Sequence, residues 1–228
     1  MQAEKKIART VGLLFFITMM QGMIDAYTVA PLLNTPLANI GSNEIWIFIG
    51  AFCILLMSIG VVFIAIFLYP ILARYNKFVA LTYVSFRVME CLLLITGVVV
   101  YLLLIALSRE YFIEGSPDSS YFQAISNLAI EARYGFYHVA MFILAIASLM
   151  LCYLFYQTKL IPRSISILGL VGYALLLLSA PLDLLGIIDT TAAGGILYAP
   201  GAIFELILLP IWLITKGFNL TEKRVYDT

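Results

Sequence analysis

The sequence predicts an all-α fold, a bundle of six membrane-spanning helices that forms a single domain over residues 1–228. Two observations support this prediction. Hydrophobic residues make up 63% of the chain and charged residues only 11%, with a mean hydropathy of +1.05. Apolar runs of about 18 residues or more, long enough to cross a bilayer, recur along the chain. A soluble domain could not bury that much apolar surface, so the composition excludes one.

The six predicted spans cover residues 11–30, 45–69, 78–107, 134–157, 164–186 and 196–215. Span 1 has the basic start and apolar run of a signal peptide. Asp25 and the lack of a small-residue cleavage site before Pro31 instead predict a retained helix. Span 3 is longer than a bilayer needs, so we expect it to tilt or to project beyond the hydrocarbon.

The longest connection lies between spans 3 and 4. Residues 115–117 (Gly-Ser-Pro) predict a turn, and Asp118 or Ser119 could cap a helix after it. Tyr121, Ile125 and Leu128 follow at helical spacing. We therefore expect a short extracytoplasmic amphipathic helix that is separate from span 4.

Orientation follows from the basic residues, because lysine and arginine favour the cytoplasmic side. Ten of the thirteen flank one side of the predicted bundle: Lys5, Lys6, Arg9, Arg74, Lys77, Lys159, Arg163, Lys216, Lys223 and Arg224. The sequence therefore predicts a multi-pass protein of the bacterial cytoplasmic membrane with both termini in the cytoplasm.

Four stretches resemble a known family: KKIARTVGLLFFITMMQG, RVMECLLLITGVV, YLFYQTKLIPRSISILGLVGYALLLLSAPLDLLG and FELILLPIWLITKGFN. In order along nearly the whole chain, they resemble the bacterial six-helix family catalogued as domain of unknown function 4386. The shared elements are Arg87 and Glu90 in span 3, the LIPR sequence before span 5, and Glu205 before a Trp-x-x-x-Lys-Gly ending. The resemblance implies the six-span topology and brings no catalytic role with it.

Charged residues inside the spans indicate a buried cluster. Counted from the cytoplasmic ends at about 1.5 Å per residue, Arg87, Glu90 and Glu205 lie roughly 14, 18 and 15 Å deep. A charge at the centre of a lipid-facing helix costs about 2.5–3.5 kcal/mol on insertion scales. We therefore expect Arg87 to contact Glu90, three residues away, and Glu205. Two roles fit this cluster: it could only stabilise the bundle, or it could also line a ligand path.

A second polar layer lies nearer the outer side. Asp25 comes out roughly 21 Å deep, and His138 and Asp183 roughly 28 Å. Their helix faces are the more polar ones of their spans and should turn inward, because lipid cannot satisfy polar groups. The sequence thus predicts a candidate pocket that opens outward. Its candidate lining residues are Asp25, His138, Asp183, Gln21, Tyr134 and Tyr137.

The charges within the spans do not balance. Asp25, Glu90, Asp183 and Glu205 are four carboxylates, whereas Arg87 is the one arginine or lysine inside the predicted spans. Because unbalanced charge is unfavourable in a low dielectric, we expect a proton or another cation in this region.

The remaining expectations concern partners. We expect contacts with membrane lipids, no nucleic acid, no cofactor and no metal site, since His138 is the only histidine and the three cysteines form no CxxC pair. The small-residue stripe of span 2 (Gly50, Cys53, Met57 and Gly60) could pack against a second copy of the chain.

Three function classes fit these features. The first is binding or transport of a small molecule, lipid or ion through the outward-facing pocket over the Arg87–Glu90–Glu205 cluster. The second is a non-catalytic accessory or sensor subunit. The third is an intramembrane lipid-modifying enzyme with His138 and Asp183 as an acid–base pair. The pattern leans away from the enzyme, because no nucleophile accompanies that pair.

Overall fold

A computed structural model describes residues 2–33, 35, 37–113, 119–189 and 193–220, which form helices joined by short connections. No strand occurs within these ranges. Six stretches are long and apolar enough to cross a membrane. The all-α prediction with six spans is therefore confirmed for the part of the chain that the structure describes.

Four spans are single helices. They are span 2 (α4, Glu44–Leu72), span 3 (α5, Lys77–Ile113), span 4 (α6, Ser119–Thr158) and span 5 (α7, Arg163–Leu184). Spans 3 and 4 extend well beyond the predicted limits, because the helical hydrogen bonding continues past the apolar run.

Span 1 is composite. It joins α1 (Gln2–Ile24), a π-helical turn (Asp25–Val29) and α2 (Ala30–Leu33). A short helix, α3 (Leu37–Ser42), then precedes span 2.

Span 6 is also composite. It joins a 3-10 turn (Ala193–Tyr198), α8 (Ala199–Ile203), a second π-helical turn (Phe204–Leu208) and α9 (Leu209–Thr215).

The six spans form a ring in sequence order. Each span packs against the span before it and the span after it, and α9 of span 6 closes the ring against α1 of span 1. Among the described helices, spans on opposite sides of the ring do not pack closely backbone to backbone. The centre of the ring is therefore filled by side chains that reach across it.

Two glycine positions allow the ring to close. A methyl group at Gly172 of span 5 would lie 2.5 Å from the backbone nitrogen of Gly201 in span 6. A methyl group at Gly12 of span 1 would lie 3.0 Å from the carbonyl oxygen of Pro210 in span 6. Only a residue without a side chain fits at either position without displacing the neighbouring backbone.

The small-residue stripe of span 2 packs within the chain. A methyl group at Gly50 would lie 2.6 Å from a side-chain methyl of Val29, and one at Gly60 would lie 2.5 Å from the methyl of Thr18. Both glycines are buried, and Cys53 is partly buried. The two glycines thus bring span 2 close to span 1, and oligomerisation through the stripe stays a prediction.

The prediction of a separate amphipathic helix between spans 3 and 4 was wrong, because no break separates this helix from span 4. Its residues are the first turns of the helix of span 4, which runs unbroken for 40 residues from Ser119 to Thr158. This stretch contains no proline and one glycine, Gly135, so nothing in it stops the helix. The predicted turn at residues 115–117 and the cap at Asp118 lie outside the described residues.

Candidate functional site

Five buried side chains between spans 3, 5 and 6 form what we call the Arg87 cluster: Tyr83, Arg87, Glu90, Tyr173 and Glu205. Nη1 of Arg87 donates to both carboxylate oxygens of Glu90, at 3.2 and 3.0 Å. Nη2 donates to Oε1 of Glu205 at 3.2 Å, and Nε donates to the hydroxyl of Tyr83 at 3.0 Å. The hydroxyl of Tyr173 donates to the same Glu205 oxygen. The structure thus brings the three predicted charges together and adds two tyrosines.

Helical spacing explains the span 3 part of this cluster. Tyr83, Arg87 and Glu90 are four and three residues apart, so they share one face of the helix. The guanidinium carbon of Arg87 also lies 5.2 Å from the centre of the Tyr83 ring, a cation–π contact. Arg87 and Glu90 are each 2% exposed. The cluster is therefore shielded from lipid and from bulk water, as an ion pair inside a membrane requires.

A second cluster, which we call the Arg133 cluster, joins spans 1, 3 and 4 through Asp25, Tyr101, Arg133 and Tyr134. Nη2 of Arg133 donates to Oδ2 of Asp25 at 2.7 Å. The hydroxyl of Tyr101 donates to Oδ1 of Asp25 at 2.5 Å. The guanidinium carbon of Arg133 lies 4.4 Å from the Tyr101 ring centre and 5.4 Å from that of Tyr134. Both carboxylate oxygens of Asp25 therefore have partners.

Arg133 was not among the site residues predicted from the sequence. Predicted span 4 began at residue 134, which left Arg133 in an extracytoplasmic loop, whereas the helix of span 4 begins fifteen residues before residue 134. Arg133 is only 7% exposed. The neighbouring tyrosines, Tyr134 and Tyr137, were a usable signal, because their rings at helical spacing can shield a buried guanidinium.

Both clusters draw an acid from a π-helical turn. Asp25 opens the turn Asp25–Val29 of span 1, and Glu205 is the second residue of the turn Phe204–Leu208 of span 6. A π-helical turn holds an extra residue in the helix, changes the direction of its side chains, and occurs frequently at functional sites. Pro200 and Pro210 bracket Glu205 and predict an irregular helix around it, whereas the π-helical form of both turns is a finding of the structure.

His138 lies close to Asp183, but not to Asp25, among the candidate pocket residues. Nε2 of His138 is 3.7 Å from Oδ2 of Asp183, so the pair links spans 4 and 5. The Tyr137 ring packs edge-on against His138, with ring centres 5.5 Å apart. Nδ1 of His138 is buried and has no hydrogen-bond partner among the described residues. Asp25 is instead directed to Arg133.

Gln21 contributes a second buried polar atom of this kind. Its Oε1 also lacks a hydrogen-bond partner among the described residues. Gln21 precedes Asp25 by four residues, about 6 Å of helix, and His138 follows Arg133 by five, about 7.5 Å. On both helices the direction is the same: Gln21 and His138 lie on the side of the Arg133 cluster that faces the Arg87 cluster. On span 3 these two clusters are separated by the eleven residues from Glu90 to Tyr101, about 16 Å.

Gln21 and His138 therefore lie in a layer between the two clusters, whereas Asp25 and Tyr134, two other predicted pocket residues, belong to the Arg133 cluster. Tyr134 and Tyr137, predicted as rim residues, are partly buried. An open depression of about 540 Å³ lies elsewhere, at the start of span 2, and is lined by Gly41, Ser42, Asn43, Glu44, Ile45, Trp46 and Ile49. It contains none of the predicted pocket residues.

The side chains of this layer can be assessed for metal binding and for proton transfer. The described residues include no group of three or more histidine, cysteine, aspartate or glutamate side chains arranged to hold a metal ion. His138 and Asp183 could pass a proton between them, but no hydroxyl or thiol within the described residues is hydrogen-bonded to His138 as a nucleophile would be.

Comparisons with known proteins identify a family and assign no activity. The sequence model of a family described as a domain of unknown function, DUF4386, matches residues 10–217. The match covers most of the ring, including both clusters. No curated protein and no solved structure shows significant similarity to the chain.

Proposed function

Because the chain belongs to the family described as domain of unknown function 4386, we propose that it is a multi-pass protein of the bacterial cytoplasmic membrane that binds or transports a small molecule, lipid or ion inside its helix ring. The six candidate spans support a membrane location. The ten basic residues that flank one side support an orientation with both termini in the cytoplasm.

One observation carries the binding proposal. Nδ1 of His138 and Oε1 of Gln21 are buried between the two clusters without a hydrogen-bond partner among the described residues. A buried polar atom left without a partner costs about 1–3 kcal/mol of folding free energy. A water molecule or a ligand that supplies the missing hydrogen bonds removes that cost. Two such atoms at a similar level, on different helices of one ring, favour a shared binding site.

The two clusters fit this proposal as the boundaries of the site. The Arg87 cluster crosses the ring on one side of the layer, and the Arg133 cluster crosses it on the other. Asp183 is the more accessible member of the His138 pair, with 16% of its side chain exposed against 7% for His138. We therefore propose that the site opens outward near Asp183 and has the Arg87 cluster as its floor.

Mass spectrometry of molecules that co-purify with the protein tests this function. We expect a lipid or small molecule to be enriched with the wild-type protein in detergent and to be depleted with His138→Leu. Ser148→Ala is the matched control, because Ser148 lies on the same helix, is fully buried, and has a hydroxyl without a partner among the described residues. Identical co-purifying molecules for wild type and His138→Leu would contradict the proposed site.

A non-catalytic accessory or sensor subunit is the second candidate. The observation that favours it is the complete pairing of Arg87, whose guanidinium contacts Tyr83, Glu90 and Glu205 at 2% exposure. A fully paired cluster stabilises the ring without any ligand. Failure to detect a bound molecule, together with co-purification of one defined membrane protein, would support this candidate.

A further inference from the structure

We propose that the Arg87 cluster holds one exchangeable proton, shared between the carboxyl groups of Glu90 and Glu205. This inference rests on the charges of the cluster and does not depend on the proposed ligand site. Such a proton would make the charge of the Arg87 cluster depend on pH, whatever molecule the ring binds.

The charge count in the cluster is two acids to one base. Glu90 is 2% exposed and Glu205 is 9% exposed, and both contact the single guanidinium of Arg87. If both carboxyl groups were ionised, the cluster would carry a net charge of −1 away from water. Two carboxylates that share one site do not both stay ionised in a low dielectric, because each opposes the charge of the other. One proton brings the cluster to neutrality.

Among the described residues, the helices around Glu90 and Glu205 supply no second positive charge. The titratable side chains that face the two acids are phenols and thiols: Tyr83 and Cys91 on span 3, Tyr137 and Cys152 on span 4, and Tyr173 on span 5. The buried residues of α1 in span 1 include no titratable group. Neutral phenols and thiols can donate hydrogen bonds but cannot balance a carboxylate.

Within the described residues, the second buried arginine already has an acid of its own. Arg133 is paired with Asp25 at 2.7 Å, and His138 faces Asp183 at 3.7 Å. Arg133 corrects the charge imbalance predicted from the sequence, since it neutralises Asp25. Among the described residues, Arg87 is thus the one guanidinium that contacts Glu90 and Glu205, which leaves this cluster with one acid in excess.

The geometry leaves room for the proton. Both oxygens of Glu90 accept hydrogen bonds from Arg87. The hydrogen bonds described for Glu205, from Arg87 and Tyr173, go to Oε1. A proton on Oε2 of Glu205 therefore leaves all of these bonds in place, with Oε1 as the carbonyl acceptor. One proton in the cluster changes its charge from −1 to 0.

Infrared difference spectroscopy of the purified protein in lipid nanodiscs tests the proposal, because a protonated carboxyl group has its own carbonyl band, which shifts in deuterated water. We expect such a band at neutral pH in the wild type. We expect it to be lost in Glu205→Gln and equally in Glu90→Gln, because either substitution leaves one acid for one guanidinium. Both amides imitate a neutral carboxyl group in shape, so both variants should fold, which size-exclusion chromatography and circular dichroism check.

Two controls separate this band from those of other acids. Glu44→Gln removes an acid that pairs with Arg109 at the end of span 2, and it should leave the band unchanged. Asp183→Asn identifies any band that belongs to the His138 pair. The proposal is overturned if the wild type shows no carboxyl band that responds to these substitutions, or if the band survives both Glu90→Gln and Glu205→Gln.

Discussion

Nη2 of Arg87 lies 3.2 Å from Oε1 of Glu205, although the two residues are 118 positions apart in the chain. This contact links span 3 to span 6 across the interior of the ring. It places a fully buried guanidinium in reach of acids from two helices, so the stability of the ring depends on which of the three charges is present.

Arg87→Leu should destabilise the protein strongly, because it leaves Glu90 and Glu205 buried without their cation. Removing one partner of a buried ion pair costs about 3–5 kcal/mol. Thermal unfolding in detergent should show that the triple variant Arg87→Leu, Glu90→Gln, Glu205→Gln recovers part of this loss, since no charge is then stranded. Equal losses for the single and the triple variant would reject the pairing as the reason.

Arg133→Met should also destabilise the protein, because it leaves Asp25 buried between Tyr101 and an apolar side chain. We expect a loss of about 3–5 kcal/mol, as for other buried pairs. Arg109→Met is the matched control, since Arg109 pairs with Glu44 but has 64% of its side chain exposed. The loss for Arg109→Met should be much smaller, because water solvates the remaining acid. Similar unfolding temperatures for both variants would contradict the buried role of Arg133.

Gly172→Ala should loosen the contact between spans 5 and 6. The new methyl group would lie 2.5 Å from the backbone nitrogen of Gly201, which cannot move aside as a flexible side chain can. We expect a loss of about 1–3 kcal/mol, as for other overpacked sites.

Gly135→Ala is the control for that substitution, since a methyl group there meets nothing within 4 Å. It should stabilise the helix of span 4 by up to about 1 kcal/mol, because alanine favours helix over glycine. Destabilisation by Gly135→Ala, or tolerance of Gly172→Ala, would conflict with the packing of the ring.

The orientation of the chain can be tested by cysteine labelling in intact cells. The native cysteines Cys53, Cys91 and Cys152 are first replaced by alanine, and single cysteines are introduced at residue 5, 116 or 223. A membrane-impermeant reagent should label residue 116 only, because the basic residues predict that both termini are cytoplasmic. Labelling of residue 5 or 223 by the impermeant reagent would contradict the predicted cytoplasmic location of both termini.

The sequence predicted the three charges of the Arg87 cluster but not the pairing in the Arg133 cluster. Arg87 and Glu90 could be paired from their spacing alone, because residues three apart on a helix are neighbours. Glu205 could be added because it lies at a similar depth. Asp25 could not be assigned to Arg133, because the apolar run of span 4 begins after Arg133 although its helix begins before it. The estimated depths placed His138 farther out than Asp25, which was wrong: Arg133 contacts Asp25, and His138 follows Arg133 by five residues towards the Arg87 cluster. The error arose because the start of span 4 was placed at residue 134, fifteen residues too late.

The sequence by itself determined the properties that arise within one segment: six helices long and apolar enough to cross a membrane, and the need to turn Arg87 and Glu90 away from lipid. These follow from hydropathy and helical periodicity, which are local. Only the tertiary structure decided the order of the ring, the π-helical turns at Asp25 and Glu205, and the partner of each buried charge. Those depend on how closely neighbouring helices approach at residues such as Gly172 and Gly12, and on side chains that meet across the ring from helices distant in the chain.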